Sequence, residues 1–120
     1  MRLSVERTNT VLYCRNWQEA VEFYRSVLEL PVNFANEWFV EFTLTPTSFL
    51  GIADVTRSTM AAVGGQGVTI TLKVADVVVA RNALVDRGID VTEVRRRWGA
   101  DVVYLHDPEG HRLELWSDVP

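Results

Sequence analysis

A single cysteine, two histidines and four prolines in 120 residues close off several possibilities before any motif is read. Cys14 cannot form an internal disulfide. Its place in an alternating, strand-like run makes it a small buried apolar residue rather than a nucleophile. Nowhere does the chain approach the roughly 20 consecutive apolar residues that a bilayer span needs. The stretch Met1 to Arg7 carries charge at both ends and no apolar core, so neither export nor membrane insertion is signalled and a cytoplasmic location is expected. Basic residues are also scarce: the formal net charge is −4, and nucleic-acid binders need a basic face to displace counterions from phosphates. The one basic cluster, Arg95-Arg96-Arg97, is short and falls between two strand candidates, which suits a solvated loop. What is present is ordinary globular usage, 48% hydrophobic and 23% charged, at odds with a disordered, collagenous or disulfide-dense chain. The length fits one domain, residues 1–120, folding alone or as a small oligomer.

The hydrophobic period changes along the chain. Residues 8–15 hold β-branched and aromatic side chains and suit a strand. Asn16 then stands as a helix cap, with Glu19 completing a capping-box pattern. Ala20, Phe23, Tyr24, Val27 and Leu28 follow at helical spacing and stop before Pro31. Trp38 to Leu44 and Ser48 to Ala53, separated by Thr45-Pro46-Thr47, read as a hairpin or meander. Residues 56–67, with Gly64, Gly65 and Gly67, read as a connector between one module at about residues 5–55 and another at about 68–118.

The second module repeats the first. Val68 to Ala75 is a strand, Asp76 a cap, and Val77, Ala80, Ala83 and Leu84 a helix stripe that stops at Gly88. At one constant offset Leu12 coincides with Leu72, Cys14 with Val74, Asn16 with Asp76 and Ala20 with Ala80, which argues duplication. Asp101 to His106, a turn at Asp107-Pro108-Glu109-Gly110 and a strand from His111 to Ser117 close the chain. Proline second and glycine fourth in that turn make the last two strands antiparallel neighbours.

Strand, Asn or Asp cap, helix with Phe23-Tyr24 and Val27-Leu28, and the closing run from Asp107 to Leu115 together resemble the vicinal oxygen chelate superfamily. That group contains glyoxalase I, extradiol dioxygenases, fosfomycin resistance enzymes and bleomycin resistance proteins. The resemblance implies an α+β fold of two tandem βαβββ modules forming a cupped mixed sheet, helices on the outer face, and a homodimer. In the family's metal enzymes one ligand comes from the first and one from the last strand of each module. Those positions fall here at Asn9, Gly51, Thr69 and Glu114. Only Glu114 has a side chain typical of a divalent-metal ligand, so no metal or other cofactor is expected. A site built from His106 and Glu114 is the lesser alternative, since strand alternation sets both on one face. His111, in the closing turn, is expected at the surface.

The same alternation divides the strands. With Leu12, Cys14, Ile70, Leu72, Val74, Leu113 and Leu115 against the helices, the opposite face holds Asn9, Val11, Tyr13, Thr69, Thr71, Glu114 and Trp116. Phe49, Val102 and Tyr104 join them, with Phe39 or Trp38 according to register. Trp98 is placed on a loop at the rim. Trp17 either packs at a dimer interface or shields the helix start. Such a lining suits a planar or partly apolar small molecule, although the aromatics also fill space in a small domain. An enclosed Glu114 carboxylate needs a partner, from Asn9, Thr69 or a ligand, and is the one candidate general acid or base. The expected function is therefore metal-independent sequestration of an aromatic or amphipathic, antibiotic-like ligand. The alternative is a lyase, isomerase or dioxygenase that uses Glu114 as base or metal ligand.

Overall fold

Strand β1 (Thr8–Cys14), dense in β-branched residues, opens the first of two units in the computed structural model, which describes residues 1–120; the units span 1–64 and 65–120. In unit 1 it is followed by α1 (Trp17–Glu22), β2 (Val32–Ala35), β3 (Phe39–Thr45) and β4 (Ser48–Asp54). These strands make one sheet in the order β1-β4-β3-β2, with β1 parallel to β4 and the other pairs antiparallel. Unit 2 contains β5 (Thr69–Lys73), α2 (Val77–Asp86), β6 (Arg95–Arg97), β7 (Ala100–His106) and β8 (Arg112–Asp118), in the order β5-β8-β7-β6. Each unit is thus a βαβββ module with the same strand order, and the duplication read from the sequence is the architecture of the chain. No helix is long and apolar enough to cross a membrane.

Alternation along the strands separates a helix-bearing face from an open face in each unit. In unit 1, α1 packs on β1 and β4. Leu12, Cys14, Val40, Phe42, Leu50 and Ile52 are buried on that side with Ala20, Val21, Phe23 and Tyr24. Each large apolar side chain so buried contributes about 1.5–3 kcal/mol. Tyr24 links the helical segment to the sheet, its ring 5.1 Å from Phe23 and 6.1 Å from Phe42. In unit 2, α2 packs on β7 and β8, where Val77, Leu84, Val103, Leu105, Leu113 and Leu115 are buried. Ile70, Leu72 and Val74, on the edge strand β5, are only half-buried.

The structure departs from the sequence reading at five places, the first being β2, a strand the sequence reading did not mark. Asn16 sits at the cap of α1, but its side chain makes no cap hydrogen bond; Asp76 does cap α2, accepting from the amides of Val78 and Val79. The first helix does not run on as an α-helix. Phe23–Val27 widens into a π-turn, with the Leu28 amide donating to the Phe23 carbonyl at 3.1 Å, and this widening accompanies burial of two consecutive aromatic rings. Arg95–Arg97 is an exposed edge strand rather than a loop, paired to β7. A charged edge of this kind resists pairing with another sheet. His111 is buried, not at the surface, and its ring Nδ1 lies 2.7 Å from Asp107 Oδ2.

Candidate functional site: two polar and aromatic sheet faces

In unit 1 the open face is built from three cross-strand rows. Asn9, Phe49 and Thr43 stand abreast; then Val11, Gly51 and Glu41; then Tyr13, Ala53 and Phe39. This register selects Phe39 rather than Trp38 for the face. Phe39 lies over the main chain of Gly51: a Cβ there would sit 2.5 Å from the ring Cζ. At the centre of the unit is Glu41, only 7% exposed. Its Oε2 accepts from Arg7 at 2.6 Å and from Asn33 at 2.8 Å, and its Oε1 accepts from the Asn9 amide. Arg7 also donates through Nε to Asn9 Oδ1 at 2.9 Å, and its guanidinium covers the Phe49 ring at 3.8 Å. Burial acts to raise the Glu41 pKa and is the largest single influence. The hydrogen bonds from Asn33, Arg7 and Asn9, with the charge of Arg7, outweigh it and hold the carboxyl below its ordinary value.

In unit 2 the rows are Thr69, Arg112 and His106; Thr71, Glu114 and Tyr104; and Lys73, Trp116 and Val102, with Arg95 beyond Val102. All the residues expected on this face are there together, and His106 shares it. Glu114 does not meet Thr69, because the register sets Thr71 beside it. Its cross-strand neighbour is Tyr104, and hydrogen-bonding attraction to the Glu114 carboxylate, with burial and the charge of Glu114 added, raises the phenol pKa. Thr69 Oγ1 instead accepts from Arg112 Nε at 2.8 Å. The Arg112 guanidinium stacks 4.8 Å from the Tyr104 ring centroid, and Lys73 Nζ lies 5.1 Å from that of Trp116. Trp98 stands at the turn between β6 and β7, 84% exposed and with a positive φ of 51°.

The family's metal positions do not fit a metal here. Gly51 offers no side chain and Phe39 takes the space one would need. Asn9 is engaged by Arg7 and Glu41, and Thr69 by Arg112. Glu114 is left as one carboxylate abreast of a tyrosine. The residue directly opposite His106 is the cation Arg112, with Glu114 one row away. No group of three or more His, Cys, Asp or Glu side chains is placed to hold an ion.

Sequence reasoning missed Glu41, Arg7 and Arg112. For Glu41 the signal was present: it shares strand parity with Phe39, so choosing that register also chooses Glu41. Trp17, left open by the sequence, donates its indole Nε1–H to the Ile52 carbonyl at 2.8 Å and so ties the start of α1 to β4. Two shallow depressions of about 460 and 610 Å³ border Trp17 along α1 and involve none of the open-face residues.

Comparison with known proteins agrees with this architecture. Residues 9–116 match the glyoxalase-like domain family. No curated protein matches the chain. Among solved structures, a glyoxalase/bleomycin resistance protein/dioxygenase from Nocardioides is 22% identical, over 99% of this chain and 85% of its own, with a TM-score of 0.78. Lactoylglutathione lyase from Agrobacterium tumefaciens is also 22% identical, over 92% and 91%, at a TM-score of 0.75. TnmS3, an antibiotic binding protein from Streptomyces sp. CB03234, is 15% identical over 99% of both chains, at 0.83. At such identities these structures speak for the fold alone, but with two βαβββ modules and the family match over nearly its whole length, the chain belongs to the glyoxalase-like domain family of the vicinal oxygen chelate superfamily.

Proposed function

We propose that the protein is a metal-independent binder that sequesters an aromatic or amphipathic small molecule against its open sheet faces, as a cytoplasmic homodimer. The observation that carries this reading is the fate of the four family ligand positions. Asn9 and Thr69 are engaged by neighbouring side chains, Gly51 has none, and Glu114 is left as a single carboxylate abreast of Tyr104. What the faces offer instead is aromatic surface with a few positioned polar groups, which is how small-molecule sites combine affinity with orientation. The similarity to an antibiotic binding protein points the same way.

The test is elemental analysis of the purified protein, with tryptophan fluorescence followed as divalent metals and then aromatic compounds are titrated in. Expected are no stoichiometric metal and quenching at one equivalent per chain, most of it lost in Trp116→Phe. Stoichiometric metal that disappears in Glu114→Ala would overturn the reading in favour of a metal enzyme. A second reading, a lyase or isomerase with Glu114 as general base, draws on the pairing of Glu114 with Tyr104 across the strands, since a phenol beside a carboxylate can orient it as a base. Turnover of a small carbonyl substrate that is abolished in Glu114→Gln, with the fold intact, would establish it.

A further inference from the structure

The two open faces differ in how their arginines are used. In unit 1 Arg7 is neutralised by Glu41 at 2.6 Å. In unit 2 Arg112 has no carboxylate partner. Its Nε is fixed by Thr69 Oγ1 at 2.8 Å and its plane by the Tyr104 ring, which leaves the terminal nitrogens of a positioned guanidinium free to donate. Cross-strand neighbours share a face, so this face carries Lys73, Arg95, Arg97 and Arg112 against the carboxylates Glu114 and Asp118. Asp118 is engaged by Lys73 at 3.0 Å, which leaves Glu114, abreast of Tyr104, as the one carboxylate set against three arginines. The excess positive charge therefore belongs to Arg95, Arg97 and Arg112. Two of these, Arg112 and Arg97, act on the Tyr104 hydroxyl and pull its ionisation down against the effect of Glu114.

We infer that the open face of unit 2 takes a planar organic anion, a conjugated ring bearing a carboxylate or sulfonate, with the anionic group on the terminal nitrogens of Arg112 and the ring against Tyr104 and Trp116. Arginine recognises such groups through two parallel N–H bonds, and a guanidinium already held by Thr69 and Tyr104 loses little freedom on binding. His106, abreast of Arg112, supplies a further ring donor to the same anion. This inference rests on the small-molecule-binding reading and names the ligand class for it.

The experiment is calorimetric titration of the full-length protein with naphthoate and with naphthamide, its neutral counterpart of the same shape. Naphthoate is expected to bind about tenfold more tightly, the scale of one charge-assisted hydrogen-bonded contact. In Arg112→Gln the ratio of the two affinities should fall to about one, and in Arg112→Lys, which keeps the charge but not the fork, it should lie between. Arg112 is exposed, so these variants are expected to fold, and circular dichroism checks it. Equal binding of the two compounds by the natural protein, or a preference that survives in Arg112→Gln, would overturn the anion inference and leave sequestration standing. Failure of both compounds and of a panel of neutral aromatics would overturn both.

Discussion

Phe39 occupies the space that a side chain at Gly51 would need: an added Cβ would lie 2.5 Å from the ring Cζ and 2.6 Å from Cε2. The family resemblance assigns Gly51 to a ligand position of the metal enzymes, and on that assignment the aromatic ring and a ligating side chain are alternatives at one place. Gly51→Ala is expected to destabilise the fold by about 1–3 kcal/mol through overpacking. Phe39→Leu in the same chain should recover much of that loss, the non-additivity of two residues in contact. Urea denaturation of the two single variants and the double variant checks this, and an unaltered Gly51→Ala would mean that the ring swings away freely.

The Glu41 cluster ties stability to acid. Its folded pKa is lowered from the ordinary 4.5, so the stability it contributes is complete above that value and is lost as pH falls through the lower folded value. Glu41→Gln is expected to cost about 1–2 kcal/mol at neutral pH, the size of a charge-assisted hydrogen bond discounted for the exposure of Arg7. The gap between the natural protein and the variant should then narrow below pH 4.5. Chemical denaturation at a series of pH values reads both, and a gap constant with pH would show that the Arg7–Glu41 pair contributes nothing.

Most of the architecture was legible in the sequence because it is carried by period and punctuation. Alternation placed Leu12 and Cys14 opposite Asn9 and Tyr13, Asp76 announced α2, and Asp107-Pro108-Glu109-Gly110 announced the β7–β8 reversal, whose Gly110 amide donates to the Asp107 carbonyl at 3.0 Å. What escaped were features set by partners distant in the chain. Asn16 has the right chemistry for a cap, yet whether the bond forms depends on backbone angles that the residue type does not determine. Arg95–Arg97 became a strand because β7 offered a free edge, although three arginines have no strand preference of their own. Strand parity alone marks the face of Glu41, and its burial follows from Arg7, Asn9 and Asn33 converging on it. Glu114 was rightly placed on a face, but the choice of Tyr104 as its partner required the register between β7 and β8.

Tyr104 reports on Glu114. Its hydroxyl pKa is raised from 10.0, chiefly by hydrogen-bonding attraction to Glu114, with burial and the carboxylate's charge adding to it. The stabilisation this provides is fully present below pH 10.0 and is lost as pH rises through the raised folded value. An alkaline ultraviolet titration is expected to show Tyr104 ionising late, and in Glu114→Gln its transition should move to lower pH. An unchanged titration in the variant would dissolve the pair and with it the argument for an oriented carboxylate.

Asp107 and His111 make the closing turn of unit 2 a structural element rather than a solvated loop. Asp107 Oδ1 accepts from the amides of Glu109 and His111, both at 2.9 Å, while Oδ2 lies 2.7 Å from His111 Nδ1, and both residues are buried. The imidazole in turn presses on Gly65, where an added Cβ would meet ring Cδ2 at 2.7 Å at a positive φ of 70°. Removing the carboxylate strands two amides and a ring nitrogen away from water, so Asp107→Ala is expected to cost about 2–4 kcal/mol. Asp107→Asn, which keeps an acceptor for the amides, should cost less. Because this turn sets the register that places Glu114 opposite Tyr104, Asp107→Ala should also lower the affinity for any ligand of the unit 2 face, whereas Asp107→Asn should spare it. Denaturation curves and ligand titrations on the same two variants check the coupling, and a loss of stability without loss of binding would confine the turn to a purely structural part.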